Sequence, residues 1–255
     1  MILVDNIHKH FGGFRAVDGT TLEIKKNSIT GLIGPNGAGK TTLFNVIAGD
    51  YKPTSGKVFL DNEDITDLPP HKLFEKGVLR TFQIPHEFST MSVLENLMMV
   101  PGDQTGEKII NAWFRRKTIL DEEENIKQKA IEVTKFLTID HLLYEKAGNL
   151  SGGQKKLLEL GRTMMVDAKI VLLDEVGAGV NRTLLKTIGD AILRLNKERG
   201  YTFCMIEHDI DFISMMCDPV IVLSGGSVLF EGTPDEVKSN ELVIESYLGK
   251  SNKKN

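Results

Sequence analysis

The sequence predicts an α/β fold in which a largely parallel β core begins with an antiparallel β layer and is interrupted by a helical lobe. Three observations carry this. The apolar run Ile29-Thr30-Gly31-Leu32-Ile33 leads directly into a glycine-rich loop and a helix start. Later in the chain, Ile170-Val171-Leu172-Leu173, Thr202-Phe203-Cys204-Met205-Ile206 and Val220-Ile221-Val222-Leu223 are continuous apolar runs, the pattern of parallel strands buried on both faces. Between these two regions the stretch 87–166 has helical texture.

Taken in order, the chain from Val4 to Leu60 offers short strand-like runs. Leu22-Glu23-Ile24 and Lys57-Val58-Phe59-Leu60 alternate as half-buried antiparallel strands do, which implies an N-terminal β layer around the glycine-rich loop. In the helical stretch, Glu122 to Leu137 surrounds the apolar set Ile126, Ala130, Ile131, Val133 and Leu137 with charge, as an amphipathic helix does. A Lys/Asn-rich tail, Lys250 to Asn255, is expected to fray. The chain has no internal repeat and no low-complexity tract.

Composition removes several classes. With 255 residues, 41% hydrophobic and 26% charged, the chain can bury a large core. A formal net charge of −4 gives no general attraction for DNA or RNA, so nucleic acid is not expected as a partner. No segment reaches the roughly 18 consecutive apolar residues of a membrane span. The start Met1-Ile2-Leu3-Val4-Asp5 lacks a basic stretch followed by an apolar one, so a cytosolic location is expected. Cys204 and Cys217 lie in apolar surroundings without metal-ligand spacing and read as buried thiols.

Gly34-Pro35-Asn36-Gly37-Ala38-Gly39-Lys40-Thr41 fits the phosphate-loop pattern G-x-x-x-x-G-K-[ST] in the strand–loop–helix setting that the pattern needs. The glycines let successive N–H groups turn inward on an anion, and the helix starting near Lys40 adds its positive end. Lys40 is placed to reach the β- and γ-phosphates, and the Thr41 hydroxyl to ligate Mg²⁺. A nucleoside triphosphate is the expected ligand. Asp174 and Glu175 follow the apolar run from Ile170, at the strand end where α/β sheets hold their ligands. One carboxylate there suits a Mg²⁺ shell and the next suits orienting and deprotonating water. Leu150-Ser151-Gly152-Gly153-Gln154 opens a helical run, giving a hydroxyl, a supple backbone and a second dipole end.

These three motifs, in this order, closely resemble those of the ATP-binding cassette (ABC) ATPases, with Leu150 to Gln154 as the signature sequence, and the resemblance covers nearly the whole chain. It implies a P-loop α/β ATPase core with an N-terminal antiparallel β subdomain, 1–86 and 167–255, and an inserted helical signature subdomain, 87–166. It implies ATP and Mg²⁺ as cofactors. The nucleotide set would be Phe11, Val17, Gly34, Pro35, Asn36, Gly37, Ala38, Gly39, Lys40, Thr41 and Thr42, joined by Ser151, Gly152, Gly153 and Gln154. Thr41, Gln83 and Asp174 would serve the metal. Glu175 would be the general base, Gln83 the glutamine that touches Mg²⁺ and the attacking water, and His208 the switch histidine that contacts the γ-phosphate. From the residues alone, Gln83 reads equally as a polar loop residue and His208 as a helix-start residue. Phe11 takes the place of the aromatic that stacks on adenine, but it is equally a core aromatic of the β layer; Phe14 is the weaker candidate.

The sequence departs from the family where Val176 stands after Glu175 in place of the usual Pro, and where Asn181 stands in place of an Asp common in that loop. Neither change removes a catalytic group, so hydrolysis is still expected. The resemblance further implies that two cassettes sandwich two ATP molecules, the signature loop of one closing on the ATP of the other. Phe11-Gly12-Gly13, Val93-Leu94-Glu95-Asn96-Leu97, Ala178-Gly179-Val180-Asn181 and the ending Tyr247-Leu248-Gly249 are most similar to the ATP-binding subunits of branched-chain amino acid importers. Such subunits work on the inner face of the cell membrane with integral-membrane permease subunits and an extracytoplasmic solute-binding protein. Urea, short amides or lipid export would use the same engine, and no residue here touches the solute. Trp113-Phe114-Arg115-Arg116 reads as a helix packing its only Trp inward or as a partner-facing patch. Ile84, Phe88 and Met91 read as a groove for a permease helix or as part of the lobe's own core.

Overall fold

The computed structural model describes residues 1–81, 87–102, 104–107, 111, 113, 115–166 and 168–248. The expected tail and Gln83 lie outside the described residues. The chain divides into two compact units. One comprises Met1–Arg80, Lys169–Gly177 and the chain from Ile192; the other comprises Thr81–Ala168 and Ala178–Ala191.

The first unit holds two sheets. Strands β1 (Ile2–Phe11), β2 (Phe14–Ile24), β4 (Ser55–Leu60) and β5 (Glu63–Asp64) form an antiparallel sheet in the order β2-β1-β4-β5. Alternation sets its faces: Ile2 and Val4 are fully buried while Leu3 and Asp5 between and after them are exposed. The β1–β2 hairpin closes with Phe11 opposite Phe14 across Gly12-Gly13. The second sheet runs β10-β9-β3-β8-β7-β6, from β3 (Ile29–Ile33), β6 (Val78–Arg80), β7 (Ile170–Asp174), β8 (Thr202–Ile206), β9 (Val220–Ser224) and β10 (Ser227–Gly232). Every residue of β3, β7 and β8 is buried, as the unbroken apolar runs require, and these strands pair in parallel.

The register of that sheet positions the chemistry. Leu32, Ile206 and Asp174 lie side by side on β3, β8 and β7. The three strands therefore end at one level, and the residues just beyond them emerge along one edge of the sheet. Helix α1 (Lys40–Ile47) returns from that edge and buries Leu43, Phe44, Val46 and Ile47. Short helices α2 (Pro70–Glu75), α7 (Ile210–Met216), α8 (Pro234–Ser239) and α9 (Glu241–Leu248) complete the unit. Cys204 and Cys217 are buried free thiols, and burial pushes both up from the usual thiol range.

The second unit is helical: α3 (Val93–Met98), α4 (Arg116–Phe136), α5 (Gly152–Met164) and the first turns of α6 (Arg182–Arg199). On α4 the described faces match the pattern in the sequence, with Ala130 and Val133 buried and Ile126 and Ile131 half-buried. Helices α3, α4 and α5 close tightly at Gly161, where a Cβ would come within 3.0–3.2 Å of Leu137, Leu97 and Val133. Asn96 is fully buried: it accepts from the Phe88 N–H at 2.9 Å and donates to the carbonyls of Phe88 and Ser92, fixing the segment before α3. Phe88 is not core; it is exposed, its ring facing the Arg162 guanidinium at 5.8 Å, while Met91 is half-buried. Ile84 lies outside the described residues. Trp113 does not pack inward, being 82% exposed. The buried apolar residues of this unit lie on α3, α4, α5, the segment between α4 and α5 and the start of α6, and among the described residues Asn111 and Trp113 add nothing buried to them. Among the described residues no helix is long and apolar enough to cross a membrane.

Candidate active site

In the first unit the loop between β3 and α1 borders a cavity of about 240 Å³ lined by Phe14, Ala16, Asn36 to Thr42, Glu175 and His208. Its floor is main chain. Gly39 precedes α1 with φ 98°, and a Cβ there would stand 2.3 Å from the Ala16 carbonyl oxygen, so only glycine fits. No side chain caps α1, which leaves the N–H groups of its first turn for an anion. Lys40 is 6% exposed, and its Nζ donates to the carbonyls of Gly34 at 2.7 Å and Pro35 at 3.1 Å. Burial lowers its pKa from the ordinary lysine value, while the carboxylates of Glu175 and Asp174 pull it back up. Thr41 is exposed at the cavity, as a metal-ligating hydroxyl would need.

The opposite side comes from the ends of β7 and β8. Asp174 is buried, and its Oδ2 accepts from Arg80 at 2.8 Å. Arg80 also pairs with Asp50 and donates to Asn45, so one guanidinium orders three acceptors. Glu175 is in left-handed backbone with φ 50°, uncommon for a side chain with a Cβ, and its N–H donates to the Ile206 carbonyl at 3.0 Å. This turn brings its Oε1 to 3.1 Å from His208 Nε2. Just before His208 in the chain stands a residue that no sequence motif singles out. Glu207, 6% exposed, accepts the Gly177 N–H at 2.7 Å through Oε1 and the His208 N–H at 3.3 Å through Oε2. Arg80 and Glu207 look like ordinary charged residues in sequence; the ion pairs of Arg80 and the burial of Glu207 mark them.

Several sequence-derived residues stand apart from the cavity. Val17 is 1% exposed and belongs to the hydrophobic core, next to Ala16, which lines the cavity. Gly34 and Pro35 contribute the carbonyls that hold Lys40. The aromatic at the cavity is Phe14; Phe11 is 46% exposed, so it is not a core residue, and it meets Tyr51 edge-on with ring centroids 5.5 Å apart.

In the second unit, Ser151 caps α5 in a reciprocal box: its hydroxyl accepts from the Gln154 N–H, and Gln154 Oε1 accepts from the Ser151 N–H at 2.8 Å. Ser151 and Gly152 are exposed, and Gly153 is buried where a Cβ would strike Leu184 at 1.9 Å. Asn181 caps α6 by accepting the Leu184 N–H at 2.9 Å, a task Asn performs as well as Asp.

Residues 17–178 match the family model described as ABC transporter, and residues 227–251 match that of the branched-chain amino acid ATP-binding cassette transporter. The chain is 42% identical over 249 residues to a protein of Archaeoglobus fulgidus named probable branched-chain amino acid transport ATP-binding protein LivG, covering 98% of this chain and 95% of that one. It is 35% identical over 248 residues to the high-affinity branched-chain amino acid transport ATP-binding protein BraF of Pseudomonas aeruginosa, covering 97% of each. Among solved structures, a nucleotide-free ATP-binding cassette from an ABC transporter is similar with a TM-score of 0.83 at 40% identity, covering 98% of this chain and 99% of that one. A dimeric cassette in a post-hydrolysis state, bound to ADP and Pi, has a TM-score of 0.74 at 25% identity, with 92% and 99% covered.

The hairpin aromatics give a direct test of where the base sits. The double variant Phe11→Ala with Phe14→Ala is expected to weaken ATP binding by roughly 1–3 kcal/mol, the scale of base–aromatic stacking. Titration of the two single variants then assigns the ring, and an unchanged Kd in the double variant removes the hairpin from the nucleotide site.

Proposed function

The chain belongs to the ABC transporter family of ATP-binding cassettes, and we propose that within it this cassette drives an importer of branched-chain or other neutral amino acids. The chain is an ATPase cassette that binds ATP; the amino-acid reading rests on the match of residues 227–251 to the branched-chain-specific family model. In this reading a second cassette, identical or not, closes on the first, separate permease subunits supply the membrane path, and an extracytoplasmic binding protein delivers the solute. The cassette then sits on the cytoplasmic side of the membrane, held there by the permease.

The residues at the cavity fit a triphosphate. The uncapped N–H groups of α1 and the ammonium of Lys40 meet phosphate oxygens, with Lys40 exchanging the Gly34 and Pro35 carbonyls for phosphate. The Thr41 hydroxyl and the Asp174 carboxylate would supply oxygen ligands suited to Mg²⁺, which when bound would neutralise charge on the β- and γ-phosphates; the family resemblance adds Gln83, which lies outside the described residues. Arg80 fixes the Asp174 carboxylate for that task. Glu175 aligns the attacking water and takes its proton, and His208 orients Glu175 and contacts the γ-phosphate. Ser151 to Gln154 present a hydroxyl and a helix start to the ATP held by the partner cassette. Closure is thus favoured by ATP and lost on hydrolysis.

Glu207 in this scheme is a positioning residue that ties the segment after Glu175 to His208. Glu207→Ala is expected to lower turnover by up to about 100-fold, the cost of a reacting group displaced by about 1 Å, while leaving ATP affinity near wild type. Glu207→Gln, which keeps an acceptor, is expected to fall in between; equal loss of affinity and turnover in both variants would make Glu207 only a folding residue. For the solute, Lys40→Ala expressed in place of the native chain is expected to abolish ATP-dependent accumulation of labelled leucine. Undiminished leucine, isoleucine and valine uptake with loss of urea uptake would move the solute assignment elsewhere.

A further inference from the structure

Two histidines that the nucleotide site does not use stand at alternate positions on β1, so His8 and His10 share one face of the strand. The register sets Asp18 of β2 opposite His8 and Arg15 opposite His10, with irregularities between Ile7 and His8 and between Lys9 and His10 that re-aim the side chains. One donor atom from each of His8, His10 and Asp18 lies within 4.8 Å of the other two. His8 Nδ1 is 2.9 Å from Asp18 Oδ1, and the two imidazoles meet edge-on with centroids 6.0 Å apart.

An ion pair accounts for His8 and Asp18 but leaves His10 unexplained. Its Nε2 is buried and has no hydrogen-bond partner, which is costly for an imidazole nitrogen. We propose that His8, His10 and Asp18 form a site for a divalent transition cation of the Zn²⁺ class, separate from the nucleotide site. Two imidazoles and one carboxylate, with water in the fourth position, are a recurrent ligand set of open zinc sites. Nitrogen donors also favour Zn²⁺, Co²⁺ or Ni²⁺ over the Mg²⁺ that serves phosphates. Tetrahedral zinc needs donors about 3.3 Å apart, so half-buried rings have only small rotations to make from the present spacing. Arg15 suits the outer shell: its guanidinium donates to Asp18 Oδ2 at 3.2 Å, leaving Oδ1 for the metal. The site lies on the hairpin that ends at Phe11 and Phe14, and a cation there would pin that hairpin.

The test is titration of the nucleotide-free full chain with Co²⁺ in excess Mg²⁺, followed by visible absorption, with Zn²⁺ displacement measured by calorimetry. One equivalent of Co²⁺ is expected to bind, to be displaced by Zn²⁺ and not by Mg²⁺, and Zn²⁺ is expected to raise Tm. His10→Gln and Asp18→Asn are expected to weaken binding by roughly tenfold or more and to remove the Tm rise, whereas Lys40→Ala and His208→Ala leave both unchanged. Wild-type melting of the metal-free variants establishes that they fold; should His10→Gln not fold, His8→Gln carries the same expectation. Absence of saturable Co²⁺ binding, retention of it in the histidine variants, or its loss in His208→Ala would overturn the proposal.

Discussion

The candidate site depends on one main-chain hydrogen bond, from the Glu175 N–H to the Ile206 carbonyl, which extends the β7–β8 ladder one residue past Asp174. Parallel pairing alone brings the strand ends level, but it would leave Glu175 free to continue in any direction. The added bond, with the left-handed turn at Glu175, sends the side chain toward His208. Left-handed backbone costs on the order of 1–3 kcal/mol for such a residue and persists only where its surroundings hold it. Here they do: Val176 is buried just beyond, and Gly177 donates to the buried carboxylate of Glu207. Where a proline would fix this backbone by its ring, Val176 and the Gly177–Glu207 bond fix it by packing and by charge-assisted hydrogen bonding.

Charge at the cavity is arranged in the same economical way. Lys40 is buried and satisfied by two carbonyls of its own loop, which fold the loop around its ammonium. In the proposed site a phosphate would replace those carbonyls with a stronger, charged acceptor. Asp174 is likewise held in place by Arg80, whose other contacts reach Asp50 and Asn45. In the proposed nucleotide site both charged groups therefore start from ordered positions, which would leave little reorganisation for nucleotide binding.

Much of this was legible in the sequence, for physical reasons that differ by element. The glycine-rich loop before α1 was readable because its spacing is set by backbone geometry that few residues tolerate, as at Gly39. The continuous apolar runs were readable because both faces of β3, β7 and β8 are covered. What escaped are contacts between residues distant in sequence. Glu207 is a charged residue whose burial only the folded sheet creates, Arg80 one whose partners Asp50 and Asp174 only the fold brings near, and Val17, named with the nucleotide residues, turns into the core because its neighbour Ala16 takes the cavity side. Trp113 escaped for the opposite reason, since a large apolar ring favours burial only if a complementary face exists. Asn181 looked like a departure, yet as a cap for α6 it does what an Asp would do without the charge.

In the proposed reaction Glu175, turned toward His208, is the base that limits hydrolysis. Replacing it by Gln keeps size and the possibility of a bond to His208 but removes the proton acceptor. Size-exclusion chromatography of Glu175→Gln with ATP, alongside its turnover with Mg²⁺, measures this directly. The predicted result is a stable ATP-bound dimer with turnover lost; a protein that stays monomeric and hydrolyses ATP at the wild-type rate would contradict it.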